Sequence, residues 1–356
     1  MDKIKAFLKR KNIEISLRRY GIDALGAMAQ GLFCSLLIGT IIKTLGQQLG
    51  IAFLVDIGTY ASAMSGPAMA VAIGYALKAD PMVLYSLAAV GWAANAEGSA
   101  GGPLAVLIIA IVAAEFGKVV SKETKVDILV TPAVTILVGV ALAKLIAPPI
   151  GEAARAFGMI IDQATKLQPF WMGIAVSVLV GIALTLPISS AAICTVFGLT
   201  GLAGGAAVAG CCANMVGFAI LSFRENRWGG LVSQGIGTSM LQMPNIVRNP
   251  RIWLPAILTS AITGPMATCL FKLEMNGAPV SSGMGTCGLV GQIGVITGWV
   301  APSEEAIAKG AAAIVPGAME WIGLILISFV LPAVLCWLFG LFFRRIGWIR
   351  EGDLKL

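Results

Sequence analysis

Histidine is absent from this chain, and charged side chains are scarce. The missing imidazole removes histidine-based zinc sites, His-assisted triads and any phosphohistidine from the chain's own chemistry. Only 12% of the 356 residues are Asp, Glu, Lys or Arg, where a soluble domain carries about 25%. No nucleophile elbow, P-loop, His/Glu metal motif or catalytic lysine constellation is present, which argues against a self-sufficient enzyme. The cysteines Cys34, Cys194, Cys211, Cys212, Cys269, Cys287 and Cys336 form no C-x-x-C pair, so metal-site spacing is missing too. They read as small, soft packing residues, with redox sensing by vicinal Cys211 and Cys212 as the alternative. Neither a metal nor a cofactor is expected.

What the chain has is apolar surface and glycine. Hydrophobic residues make up 58%, glycines number 43, and mean hydropathy is +0.89. That composition belongs to bundled membrane helices, whose interfaces favour small residues. The expected fold is all-α, a polytopic transmembrane bundle of about eight to ten spans. No basic leader with an Ala-x-Ala cleavage site opens the chain, so nearly all of it is expected to be membrane domain. Apolar stretches of about 20 residues fall near 24–45, 58–78, 81–94, 103–121, 128–147, 170–188, 253–272 and 319–343.

Three divisions are expected. Residues 1–20 set Lys3, Lys5, Lys9, Arg10, Lys11, Arg18 and Arg19 around Ile4, Phe7, Leu8, Ile13 and Ile15, the pattern of an amphipathic helix lying on lipid. Residues 21–343 form a single transport-type domain, and 344–356 a basic tail carrying Arg344, Arg345, Arg350 and Lys355. Basic ends place both termini in the cytoplasm. The net charge of +7 is explained by basic residues at span ends, so no nucleic-acid partner is expected.

Candidate site residues come from polar breaks in apolar sequence. Foremost is Glu97, in Trp92-Ala-Ala-Asn-Ala-Glu-Gly-Ser-Ala-Gly-Gly-Pro103. An ionised group inside a bilayer is costly and usually faces a cavity and a solute or proton; the plainer reading is a solvated loop carboxylate. Asp23 beside Arg19, and Glu115 beside Lys118, read as interfacial and helix-end pairs.

Residues 189–222, from Ser189-Ser190 to Asn214, and residues 279–300, from Pro279 through Ser281, Ser282 and Thr286 to Gln292, are small-residue segments with polar atoms at their turns. Both are candidate re-entrant hairpins, because irregular backbone at membrane depth needs protein or a watery cavity to satisfy it. The alternative is ordinary close-packed helices, since Gly201/Gly205 and Gly294/Gly298 have small-xxx-small spacing. Arg224 and Arg227 after the first segment favour a return to the same side. The repeated Gly98-Ser-Ala-Gly-Gly102 and Gly201-Leu-Ala-Gly-Gly205 hint at duplication.

The hydrophilic stretch 223–252 holds Arg224, Arg227, Arg248 and Arg251 with Gln234, Gln242 and Asn245. The arginines fit topology signals, or docking of a phosphoprotein or anionic substrate. The amides are costly to bury without partners and are candidates to line the solute path. A carboxylate at Glu97 with Asn95, Asn214 and Gln292, which donate and accept at once, suits a neutral sugar or polyol.

Taken together, the basic amphipathic start, the Asn95-Ala-Glu-Gly-Ser-Ala-Gly-Gly-Pro-Leu break, Leu186-Pro-Ile-Ser-Ser-Ala-Ala-Ile193 and Gly235-Ile-Gly-Thr-Ser-Met-Leu-Gln-Met-Pro-Asn-Ile resemble enzyme IIC-like membrane proteins of the bacterial sugar phosphotransferase system. Within them, the chain looks like the stand-alone branch that includes PfoR-type toxin regulators. The resemblance covers nearly the whole chain. It implies an inner-membrane permease, often a homodimer, whose sugar binds between helices and re-entrant hairpins and is phosphorylated on emerging. It also implies a glutamate and a histidine on the sugar; Glu97 is the candidate for the first, and no histidine exists for the second. With no IIA or IIB module, a phosphoryl group must arrive from a separate cytosolic phosphocarrier. The expected solute contacts are Asn95, Glu97, Ser189, Ser190, Asn214, Gln234, Gln242, Asn245, Ser282 and Gln292. A membrane-embedded solute sensor is the alternative to a transporter.

Overall fold

A computed structural model describes residues 2–356, with side chains from Ala6 onward. The side chains of Lys3, Ile4 and Lys5 lie outside the described residues. The fold is all-α, without strands among the described residues beyond one isolated bridge between Gly201 and Met275. Six helical runs are long and apolar enough to cross a membrane: Arg19–Leu49, Pro81–Val120, Asp127–Thr165, Gly201–Leu221, Pro250–Leu270 and Ala318–Arg345. The chain divides into two compact units, Met1–Ala154 and Arg155–Leu356, inside the stretch expected to be one domain. The boundary falls within the 39-residue helix Asp127–Thr165, which carries Pro132, Pro148 and Pro149.

In the first unit, α1 (Asp2–Arg10) precedes α2 (Arg19–Leu49), α3 (Ala52–Ala63), α4 (Ser65–Ala76), α5 (Pro81–Gly98) and α6 (Gly102–Val120). The run Pro81–Val120 is a helical hairpin rather than one rod. It reverses at Ser99–Gly101, so that Gly117 packs on Val83 and Gly98 on Ala105. Ser99 turns there with φ +48°, a conformation uncommon outside glycine. Each limb, of 18 and 19 residues, is about 27 Å long and near the bilayer's hydrocarbon thickness. α3 and α4, joined at Met64, run antiparallel to α2, with Gly46 against Leu54, Gly39 against Ser62 and Gly31 against Met69.

The N-terminal segment is strapped to protein. Lys118, with 2% of its side chain exposed, directs Nζ to the Asn12 carbonyl (3.0 Å), the Leu77 carbonyl (3.1 Å) and Glu115 Oε2 (2.7 Å). A lysine ammonium has three protons, so this buried charge is fully partnered. Tyr20 donates to Glu115 Oε1 at 3.1 Å. Arg10 and Lys11 reach Glu123 at 2.8 and 2.5 Å, and Lys11 also donates to the Ser121 carbonyl. The expected Arg19–Asp23 pair does not form. Arg19 donates instead to the Leu77 carbonyl, the unsatisfied end of α4.

Next to this strap, Asp80 accepts from Lys122 Nζ (2.6 Å) and Ser121 Oγ (2.9 Å). Desolvation pushes its carboxyl up, but these hydrogen bonds and the Lys122 charge outweigh it and hold Asp80 below its ordinary value. The hydrogen bond from Lys11, aided by the Arg10 charge, likewise lowers Glu123.

In the second unit, α7 is Pro169–Thr185, α8 Ser190–Val196, α9 Gly201–Leu221, α10 Phe223–Val232, α11 Pro250–Leu270, α12 Val290–Val300 and α13 Ala318–Arg345. α9 is the hub, buried along nearly its whole length and packed by α7, α11 and α13. Small residues permit this. A Cβ at Gly205 would collide with the Leu273 carbonyl.

The two candidate hairpins turn out differently. Residues 189–222 are a seven-residue helix followed by the 21-residue α9, which is long enough to span alone, so the charge argument for a return to the same side loses its premise. Residues 279–300 do fold back on themselves. A limb of 3-10 turns, Pro279–Gly283 and Cys287–Leu289, leads into the 11-residue α12, and Gly277 meets Gly294, Ser281 meets Gly294 and Gly285 meets Gly291 across the fold. α12 rises about 16 Å, half a bilayer.

Candidate functional site

Each unit holds polar side chains at a break in its helices. In the first, Glu97 sits on the last turn of α5, just before the Ser99–Gly101 reversal. Its Oε1 takes a hydrogen bond from Lys144 Nζ at 2.5 Å, with about a third of the Glu97 side chain exposed. Glu97 is therefore one half of an ion pair. Together the pair accepts through the carboxylate and donates through the ammonium, as a polyhydroxylated solute requires. Two residues earlier, Asn95 donates to Ser65 Oγ at 3.4 Å, linking the break at the start of α4 to the reversal after α5.

In the second unit, most of the anticipated polar groups are spent on the protein itself. Asn214, fully buried, accepts through Oδ1 from Trp253 Nε1 (2.9 Å) and Thr185 Oγ1 (3.2 Å), and donates through Nδ2 to the Gly210 carbonyl (3.0 Å) and Ser260 Oγ (3.4 Å). Both amide protons and both lone pairs are used. Thr185 also meets Ser239 at 2.8 Å, so this network knots α7, α9 and α11.

Gln234, Gln242 and Asn245 form a chain of amides. Asn245 donates to Gln242 Oε1 (2.8 Å), Gln242 to Gln234 Oε1 (2.9 Å), and Gln234 to Ser222 Oγ (2.8 Å). Their remaining donors hold the C-terminal residues: Gln242 reaches the Leu354 carbonyl and Asn245 the Lys355 carbonyl, each at 2.9 Å. Asn226 adds a bond to Leu354 O at 2.7 Å. Leu354 and Ile349 are buried with Phe218, Ile252 and Phe343. The stretch expected to be a basic tail is thus a docked element, and the amides placed in the solute path clamp it.

The serines bind the breaks together. Ser189 Oγ caps α8 by accepting from Ala192 N (3.2 Å), Ser190 Oγ donates to the Gly283 carbonyl (2.7 Å), and Ser282 Oγ to the Pro279 carbonyl (2.7 Å). Gly285 takes φ +53° where its Cα lies against Cys211 and Cys212; a Cβ there would stand 2.6 Å from that of Cys211, so only glycine serves.

Gln292 stands apart. Its Nε2 donates to Cys212 Sγ at 3.3 Å, but Oε1 is buried and has no partner. Glu115 Oε2 is also buried without a hydrogen bond but lies 2.7 Å from the Lys118 ammonium; among the expected solute contacts, Gln292 is the one with a buried atom that has neither a hydrogen bond nor an ion pair. Thr200 Oγ1 and Ser328 Oγ are orphaned too, and neither was anticipated. Lys144 was also missed; as one lysine in the apolar run 128–147 it resembles a span-end charge, and only the chain's path brings it to Glu97. No cluster of His, Cys, Asp or Glu among the described residues could hold a metal ion.

Comparison with known families decides the affiliation. A family model described as "Phosphotransferase system, EIIC" matches residues 22–356. The chain belongs to the phosphotransferase system EIIC family. It is a multi-pass membrane protein of the phosphotransferase permease type. No curated protein and no solved structure matches it.

Proposed function

We propose that this EIIC protein binds a small neutral polyhydroxylated solute, a sugar or polyol, and carries it across the bacterial inner membrane. In this reading both termini are cytoplasmic, the protein works as a homodimer, and a phosphoryl group is delivered by a separate cytosolic phosphocarrier. The observation that carries the reading is Gln292. A buried amide oxygen without a partner costs about 1–3 kcal/mol, and it sits on α12, the short limb of the broken hairpin 279–300. Such half-length elements are where transporters place solute contacts. Glu97 and Asn95, supported by Lys144, are proposed as the solute contacts of the first unit.

The expected chemistry is hydrogen bonding without net charge. Gln292 Oε1 accepts from a hydroxyl, and the Glu97–Lys144 pair both accepts and donates. The test is solute-dependent thermal stabilisation of the purified protein over a panel of sugars, polyols and nucleosides, since a ligand that binds only the folded state stabilises it by mass action. A stabilising sugar or polyol that loses its effect in Glu97→Gln and in Gln292→Met is the expected result. Equal stabilisation of wild type and both variants would sink the site assignment. Binding without uptake of the same solute in cells would favour the sensing role.

A further inference from the structure

At the ends of two spanning helices lies a groove that the solute reading does not use. α9 ends at Leu221 and α13 at Arg345, and between them opens a cavity of about 520 Å³, within the size range of small-ligand sites. Its walls are almost wholly apolar, built from Ile220, Phe223, Leu231 and Leu341 with the indoles of Trp228 and Trp337. Both tryptophans are more than half exposed, the position indoles take at a membrane interface.

The groove is capped by cationic charge. Arg344 is anchored, donating to Glu225 Oε1 (2.7 Å) and the Leu221 carbonyl (3.2 Å). Arg224 also lines the groove and is exposed. It has no hydrogen bond or ion pair among the described residues, and neither do Arg227 or Arg345. The two charged side chains on the groove's lining are thus both arginines, Arg224 and Arg344, and the carboxylate paired there, Glu225, is taken up by Arg344. An apolar groove at the level where spanning helices end, with an unpaired guanidinium on its lining, suits a chain of hydrocarbon attached to a phosphate. Arg224 would meet phosphate oxygens through a forked pair of hydrogen bonds.

We propose that this groove binds one anionic phospholipid, with its phosphate on Arg224 and an acyl chain against Phe223, Leu231 and Leu341. Basic pockets between spanning helices are where anionic headgroups are recognised, and each arginine near such a surface is worth about fivefold in affinity. The lipid would brace α9 and α13 at the point where the clamped C-terminal segment begins.

The test is native mass spectrometry of the full-length protein in detergent, titrated with phosphatidylglycerol or phosphatidylcholine of identical chains. Wild type is expected to hold one phosphatidylglycerol about fivefold or more tightly than phosphatidylcholine. Arg224→Gln should bring the two lipids level, and Leu341→Trp, which fills the slot, should remove that bound lipid for both headgroups. A melting measurement on each variant confirms that it is folded. Equal retention of both lipids by wild type, or a headgroup preference unchanged in Arg224→Gln, would overturn the proposal. So would a lipid-free dimer that Leu341→Trp converts to monomer, because a second copy would then be the occupant.

Discussion

Two amide-to-apolar substitutions in the same unit should shift stability in opposite directions. In Asn214→Leu, a side chain of similar shape replaces one that makes four hydrogen bonds. Trp253 Nε1 loses its partner, whereas Thr185 keeps Ser239 and Ser260 keeps the Ala256 carbonyl. One stranded buried donor costs about 1–3 kcal/mol, and the lost bonds among groups that retain partners add about 1 kcal/mol, so a destabilisation of about 2–4 kcal/mol is expected. In Gln292→Met, the substitution removes an oxygen that has no partner and gives up a contact from Nε2 to sulfur. Relief of about 1–3 kcal/mol against a loss of under about 1 kcal/mol leaves a net gain of about 1 kcal/mol. The assay is thermal unfolding of both variants and wild type in one detergent at one scan rate, because membrane-protein melting is commonly irreversible. Asn214→Leu should melt lower and Gln292→Met higher, with the latter losing its response to solute. A Gln292→Met protein that melts well below wild type would refute the reasoning, since the oxygen would then be satisfied in the working protein.

Three further outcomes are expected. Leu354→Ala should destabilise by about 2–5 kcal/mol, the cost of emptying a buried leucine site, because Leu354 is fully buried; a melt unchanged from wild type would show that the C-terminal clamp is not held in solution. Exchanging Glu97→Lys with Lys144→Glu should change stability by less than about 1 kcal/mol, as half-exposed ion pairs contribute little, yet abolish the solute-dependent shift; retained solute response would remove Glu97 from the site. The N-terminal strap should be pH-sensitive with a definite sign. Asp80 and Glu123 are held below their ordinary values of 3.8 and 4.5, so their stabilisation is fully present above about pH 5 and is lost as pH falls through the lowered values. Hydrogen exchange of residues 7–13 should therefore accelerate below about pH 4, relative to the rest of the chain, and exchange independent of pH there would contradict the strap.

The fold class was legible because membrane burial writes itself into composition: the apolar stretches near 24–45, 81–94, 103–121, 128–147, 170–188, 253–272 and 319–343 each lie on a helix, whereas 58–78 is broken at Met64 between two 12-residue helices, Ala52–Ala63 and Ser65–Ala76. The reversal between α5 and α6 could also be read, since Gly98, Gly101, Gly102 and Pro103 interrupt apolar sequence on both sides. α9 was harder. Its run of Gly, Ala and Cys reads in sequence as part of a re-entrant hairpin or as a close-packed helix, and the packing of neighbouring helices, which the small size of these residues permits, decides for the helix.

Sequence by itself determined that this is an all-helical membrane protein of the phosphotransferase EIIC type, with its polar chemistry confined to a few breaks, because hydrocarbon tolerates neither open backbone nor unpartnered charge. Tertiary structure alone decided how those polar groups are used. Hydrogen-bond partners far apart in the chain fill the capacity of Asn214, direct Gln242 and Asn245 onto Leu354 and Lys355, and join Lys144 to Glu97. An amide looks the same in sequence whether it is satisfied or free, and only the three-dimensional path of the chain leaves the oxygen of Gln292 without a partner.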